Sequence, residues 1–203
     1  HVSINGSDNN DGSIDNPFSS IQFAYDRADE HDTILVHPGV YNDDIWFYGK
    51  NVVLGSLYLS TGDTSFISST IIDGDSTDCT IAIYGNIDST CRITGFTIQN
   101  GIGCVYGQGA GIYVESASPR LDNLIIKNNI GGTNGGGICL NGNSNSLIDK
   151  VVIKNNSADT GGGLYIFNSN PVITNSVIQN NHSNNGAGVF LELCSPNFEN
   201  VSI

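Results

Sequence analysis

Four side chains stand first when the chain is read for chemistry. Asp122 and Asp149 occupy one position in two successive copies of a repeat, with Glu199 in a later copy and Thr174 between them. Stacked one above the other, the two acids repel unless solvent, a lysine or a cation relieves them. Lys150 adjoins Asp149, and Lys127 follows Asp122 by five residues. A base beside a cation-held carboxylate is the equipment for abstracting a proton next to an acid group, so Lys127 and Lys150 are the candidate bases and Asp122 and Asp149 the candidate acids. Against this, Lys127 and Lys154 align with Gln99 and Gln179, which makes lysine there an ordinary surface choice.

Two further groups suit binding. Tyr113, Tyr165, Phe167 and Phe190, with Tyr84 as an extension, alternate with apolar residues in short β-branched runs. They are expected on the outer face, where aromatic rings stack on the apolar faces of sugars or on a partner protein, unless they pack beneath a loop or on one another. Asp73, Asp75 and Asp78 lie within six residues and could hold Ca²⁺, although their spacing does not complete an EF-hand loop and a solvated turn is the plainer reading. An N-terminal histidine such as His1 binds copper when a second histidine stands beside it; His31, His37 and His182 offer no matching spacing, and His1 is read as an ordinary residue.

These residues are positioned by a repeat. Gly109-Ala110-Gly111-Ile112 recurs as Gly135-Gly136-Gly137-Ile138, Gly161-Gly162-Gly163-Leu164 and Gly186-Ala187-Gly188-Val189, stepping by 26, 26 and 25 residues. In time with it run Leu124 to Asn129, Val151 to Asn156 and Ser176 to Asn181, each ending in Asn-Asn. Such a period, without an amphipathic helix or leucine-rich spacing, calls for a coil of short strands in which each strand pairs with its copy about 4.8 Å away. Alternation points Ile112, Val114, Ile138, Leu140, Leu164, Ile166, Val189 and Leu191 inward. Asn123, Asn175 and Asn200, with Lys150 as the exception, fall at one bend, where asparagine tolerates a left-handed backbone and stacked amides bond along the axis. Glycines serve another corner. The expected fold is all-β, a right-handed parallel β-helix with a short N-terminal capping helix.

Composition narrows the partners. Seven Lys+Arg against 20 Asp+Glu give a formal charge of -13, which repels phosphate and argues against nucleic acid and anionic membrane. No apolar run reaches the roughly 18 residues of a spanning helix, so no membrane insertion is expected. Only 13% of residues are charged, and 25 are glycine, so the polar surface falls to Asn, Ser, Thr and Gly, as in secreted solenoids. Five cysteines leave at least one without a partner in the chain; no Cys-x-x-Cys pair suggests zinc, and the favoured reading is small buried hydrophobes rather than disulfides.

Residues 1–45 are read as a cap with the first strand and 46–203 as stacked coils, a single domain. Asn16 and Pro17 are expected to open a helix over 16–29 whose Phe18, Ile21, Tyr25 and Ala28 share one face, and Thr33 to Val36 to form the first strand. Ile203 aligns with Ile178, so the chain is expected to stop within a coil, as part of a longer protein or with an end that stacks on another molecule.

The stretch from His1 to Ser13, with Pro17-Phe18, Ile21-Gln22 and Asp32 to Tyr41, resembles the N-terminal segment of bacterial pectin-lyase-like β-helix proteins, among them the family-nine polysaccharide lyases. The remaining repeats resemble those of the same superfamily. The resemblance implies the β-helix fold, secretion and, for the lyases, a Ca²⁺-assisted reaction with a lysine base on a uronate; this chain does not match their ligand and lysine positions residue by residue. The expectation that follows is a secreted or cell-surface module, adhesive or carbohydrate-contacting and non-catalytic. Its rivals are a Ca²⁺-dependent lyase acting on an acidic glycan and a solenoid that associates end to end.

Overall fold

The computed structural model describes residues 1–203, apart from the side chain of Val105. A helix α1 (Ile21–Arg27) precedes strands β1 (Thr33–Val36), β2 (Gly39–Asn42), β3 (Ile45–Tyr48) and β4 (Val53–Ser56). Two short helices follow, α2 (Tyr58–Thr61) and α3 (Ser65–Ser69), then β5 (Thr70–Asp73), β6 (Ile81–Tyr84), β7 (Arg92–Thr94), β8 (Thr97–Gln99), β9 (Ile112–Glu115) and β10 (Arg120–Lys127). The chain finishes with β11 (Ile138–Asn141), β12 (Leu147–Lys154), β13 (Leu164–Phe167), β14 (Val172–Thr174), β15 (Val177–Gln179), β16 (Val189–Glu192) and β17 (Asn197–Glu199).

Every pairing between these strands is parallel, and each strand bonds to its copy in the next coil, as the repeat requires. An 11-stranded sheet branches at β10 and β12, because these longer strands run through a bend at which other coils break into two. The bend is where the sequence puts it: Asn123, Lys150, Asn175 and Asn200 all have left-handed backbones, with φ between 49° and 54°. A six-stranded sheet, in the order β3-β6-β9-β11-β13-β16, forms the opposite wall.

Between the walls lies one apolar core. Ile112, Val114, Ile138, Leu140, Leu164 and Ile166 are fully buried, as their alternation demands. Val189 is half-buried and Leu191 is 47% exposed, since no further coil of this chain covers them.

The amide ladder stands on a different column from the expected one. At the bend, Asn123 and Asn175 turn aside to the neighbouring carboxylates of Asp122 and Asp149, and only Asn200 donates to an asparagine, Asn175. The buried ladder runs through the second Asn of each Asn-Asn pair. Asn129 donates from Nδ2 to Asn156 Oδ1 at 2.9 Å, and Asn156 to Asn181 Oδ1 at 3.1 Å. The first Asn of each pair, Asn128, Asn155 and Asn180, takes the left-handed bend that frees the second to turn inward.

The glycine triplets split the work in the same way. Only the first glycine of each, such as Gly135 (φ 70°), uses the left-handed region. The last is packed too closely for a side chain: a Cβ on Gly137 would meet the Gly163 carbonyl oxygen at 2.5 Å, Ile153 Cγ2 at 2.6 Å and Asn156 Nδ2 at 3.1 Å. The two repeat motifs therefore touch, glycine against asparagine, at Gly111 and Asn129, Gly137 and Asn156, and Gly163 and Asn181.

The capping helix begins later than expected. Ser20, not Asn16, is its N-cap, with Oγ accepting from the Phe23 amide at 3.1 Å. Phe18 lies before the helix, where it bridges to Val2. Ile21, Ala24 and Tyr25 close the core. The cysteine expectation is corrected for two residues: Cys79 and Cys104 form a disulfide, whereas Cys91 and Cys139 are buried free thiols and Cys194 is half-buried.

Candidate functional site

The outer face of the six-stranded sheet carries two columns of side chains, set by the parallel register. The first column reads Trp46, Ala82, Tyr113, Cys139, Tyr165, Phe190, and the second Tyr48, Tyr84, Glu115, Asn141, Phe167, Glu192. Six strands at parallel spacing make this face about 24 Å long.

The aromatic stripe read from the sequence lies here, but much of it is covered. Tyr113 is 4% exposed and Tyr165 8% exposed, which corrects the expectation that both offer open rings. The glycine corner folds back over the first column: a Cβ on Gly109 would lie 2.7 Å from Tyr113 Cβ, and one on Gly161 2.9 Å from Tyr165 Cβ. Tyr113, Cys139 and Tyr165 thereby join Cys79, Ala82 and Cys104 in a second small core outside the barrel of coils. The disulfide anchors the 100–110 loop beside it, and the Cys104 amide bonds to the Gln108 carbonyl at 2.8 Å. Tyr165 stacks on Phe190, with ring centroids 5.6 Å apart.

What stays open is the second column and its start. Tyr48 and Tyr84 stack at 5.2 Å with ring planes 7° apart, and Trp46 stacks on Tyr84 at 6.0 Å. Tyr48 remains 58% exposed. Trp46 and Tyr48 escaped the sequence reading because β3 precedes the regular repeats; their alternation in Ile45-Trp46-Phe47-Tyr48 is the signal that would have found them. Further along, Gln108, Asn134, Asn141, Tyr165, Phe167 and Glu192 line a shallow groove of about 240 Å³. Phe167 and Phe190 are half-buried at its side. The Tyr165 hydroxyl donates to Glu192 Oε2 at 2.9 Å, and Asn141 Nδ2 donates to the Tyr113 hydroxyl at 3.4 Å. Burial raises the pKa values of Tyr113 and Tyr165, and the Glu192 bond adds to the latter. Tyr84 is pushed up to about 12, first by burial and then by Tyr48, Glu115 and Asp78; its hydroxyl is buried without a hydrogen-bond partner. All three phenols therefore stay protonated at ordinary pH. Rings, planar amides and a carboxylate on one face can hold a hydroxyl-rich ligand by stacking and by paired hydrogen bonds.

The opposite wall holds the proposed proton-transfer residues in another arrangement. Asp122 and Asp149 are register partners, as the repeat implied. Asp122, however, is fully buried and accepts from Arg92, Arg120, Thr94 and Asn123. Burial opposes its charge, but these bonds outweigh burial and lower its pKa to about 2. Its lone pairs are spent on these bonds, which corrects the reading of Asp122 as a candidate catalytic acid. Asp149 accepts from Thr174 and Asn175 and is also lowered, burial again being outweighed by these bonds. Lys150 is exposed at the bend, and Lys127 pairs in register with Lys154 at the far end of β10.

The acidic triplet does not assemble as a cation set. Asp73 Oδ2 accepts from Gln99 and Asn100, and its Oδ1 from the Asp75 amide; Asp78 Oδ1 accepts from the Cys79 amide. The His, Cys, Asp and Glu side chains that cluster in threes among the described residues are Asp78, Cys79 and Cys104, and the last two are tied in the disulfide. The reading of His1 is corrected too: His37 stands beside it, Nδ1 of one 3.1 Å from Nε2 of the other.

A family model described as right-handed beta helix region matches residues 55–203. Among solved structures, pectin methylesterase PemA from Erwinia chrysanthemi is similar at 15% identity and TM-score 0.49, over 85% of this chain and 54% of that one. A pectin methylesterase in complex with hexasaccharide VII is similar at 14% identity and TM-score 0.47, over 85% and 55%. The chain spans about half the length of these structures. No curated protein matches it, and no helix is long and apolar enough to cross a membrane.

Proposed function

The chain belongs to the right-handed β-helix family, and on that footing we propose that it is an extracellular, non-catalytic module that binds a neutral glycan along the outer face of the six-stranded sheet. The observation that carries this reading is the continuity of that face, from the exposed Tyr48 stacked on Tyr84 to the groove between Asn141, Phe167 and Glu192. Stacking supplies affinity for the apolar side of a pyranose, and the amides and carboxylate supply partners for its hydroxyls. Glu115 and Glu192 on the face, and a formal charge of -13, favour a neutral over an acidic polymer. The Cys79–Cys104 disulfide supports an oxidising compartment outside the cytosol.

Affinity electrophoresis in gels containing neutral or acidic polysaccharides tests the proposal. Retardation by a neutral polymer, lost on Tyr48→Ala with the fold intact, is the expected result. Retardation only by pectate or alginate, or none sensitive to Tyr48, removes the proposed face. Absorbance from unsaturated uronate products, dependent on Ca²⁺, would replace the reading with the lyase and direct attention to Lys127 and Lys150.

A further inference from the structure

We propose that the imidazoles of His1 and His37 form a chelating pair for a borderline divalent transition ion, Cu²⁺ or Zn²⁺. The backbone brings the pair together. Val2 bridges in parallel to Val36, its amide bonding to the Leu35 carbonyl at 2.9 Å and its carbonyl accepting from the His37 amide at 2.9 Å. Val2 and Val36 are fully buried, so the residues beside them point outward, and His1 and His37 become diagonal neighbours on the surface. Their rings lie 5.4 Å apart between centroids, and both side chains are only half-buried, open to an ion from solvent.

The separation of the nitrogens suits chelation. Two histidine nitrogens, each about 2.05 Å from one ion, stand about 2.9 Å apart at a right angle and about 3.3 Å apart at the tetrahedral angle. His1 Nδ1 and His37 Nε2 are 3.1 Å apart, between the two values, so an ion enters with little movement of either ring. Among the described residues, neither nitrogen has another hydrogen-bond partner, so binding breaks only the contact between the rings. The His37 carbonyl accepts from the Tyr41 hydroxyl at 2.8 Å, and burial holds Tyr41 in place. Imidazole nitrogen is a preferred donor for Cu²⁺ and Zn²⁺, with Cu²⁺ the tighter of the two, and the negative charge of the chain favours any cation. The remaining coordination positions fall to water. The two rings are the ligands proposed; the backbone nitrogen of His1 is not called on.

Calorimetry with Cu²⁺ and ¹⁵N NMR of the imidazoles with Zn²⁺ test the site on the whole chain. One ion per chain is expected, with affinity weakened about 10-fold or more by His37→Gln and unaltered by His182→Gln, which changes an exposed histidine elsewhere. Zn²⁺ should shift the His1 Nδ1 and His37 Nε2 resonances together. Unchanged affinity in His37→Gln would overturn the proposal, because His1 would then bind alone. Should His37→Gln fail to fold, the wild-type resonances decide: a shift confined to His1, or to His31 and His182, refutes the pair.

Discussion

Arg92 grips Asp122 with two prongs, Nε to Oδ1 and Nη2 to Oδ2, each at 2.7 Å. The Asp122 side chain is fully buried and that of Arg92 30% exposed, so a charge inside the sheet is neutralised by a group that reaches it from the rim. Asp122→Asn should therefore lower stability at pH 7 by about 2 kcal/mol, the value of a shift from the ordinary carboxylate range to about 2. The sign follows from the depressed pKa: the contribution is complete above the unfolded value, near 4, and is lost as pH falls through about 2. Urea unfolding of both proteins at pH 7 and pH 2 should give a difference at the first pH that shrinks at the second.

Asn156 bonds both ways along the ladder and, through Nδ2, to the Ile126 carbonyl at 3.0 Å. Asn156→Ala strands the Asn129 amide and that carbonyl in the core. A loss of about 3 kcal/mol is expected in chemical unfolding, since each buried unsatisfied group costs about 1–3 kcal/mol.

Gly137→Ala places a methyl group against the backbone of the next coil, which cannot rotate away. Overpacking of this kind costs about 1–3 kcal/mol. The melting temperature should fall, whereas Gly49→Ala, where nothing lies within 4 Å, should fall less, its cost being that of the left-handed backbone at φ 65°.

Trp46 is the sole tryptophan and stacks on Tyr84 beside the open ring of Tyr48. A glycan seated there should change its emission, giving a binding curve without a label. Tyr48→Ala should weaken that binding by about 10-fold, the upper end of what one aromatic contact supplies. A curve unchanged by the substitution would place the ligand elsewhere.

Reduction of Cys79–Cys104 opens a loop with a sequence separation of 25, and the chain-entropy cost of such a loop is about 3.5 kcal/mol. Unfolding with and without a thiol reductant measures this. Cys91, whose pKa burial pushes up to about 12, should resist alkylation until the protein unfolds.

The repeat alone determined the coil, its parallel register, the inward column from Ile112 to Ile166 and the left-handed bend at Asn123, Lys150 and Asn175. These follow from period and alternation, which act between neighbouring coils and are written in the order of residues. The tertiary structure alone decided which outward side chains meet water. Tyr113 and Tyr165 alternate like exposed residues, yet the glycine corner that leads into each strand turns back over them, a path the alternation does not encode. It also decided which amides stack, because Asn123 and Asn175 find a carboxylate closer than one another, while Asn129 and Asn156 are turned inward. The same holds for Arg92 on Asp122, Cys79 with Cys104 and His1 beside His37: each pair is 25 to 36 residues apart in the chain, and only the stacking of coils turns that separation into contact.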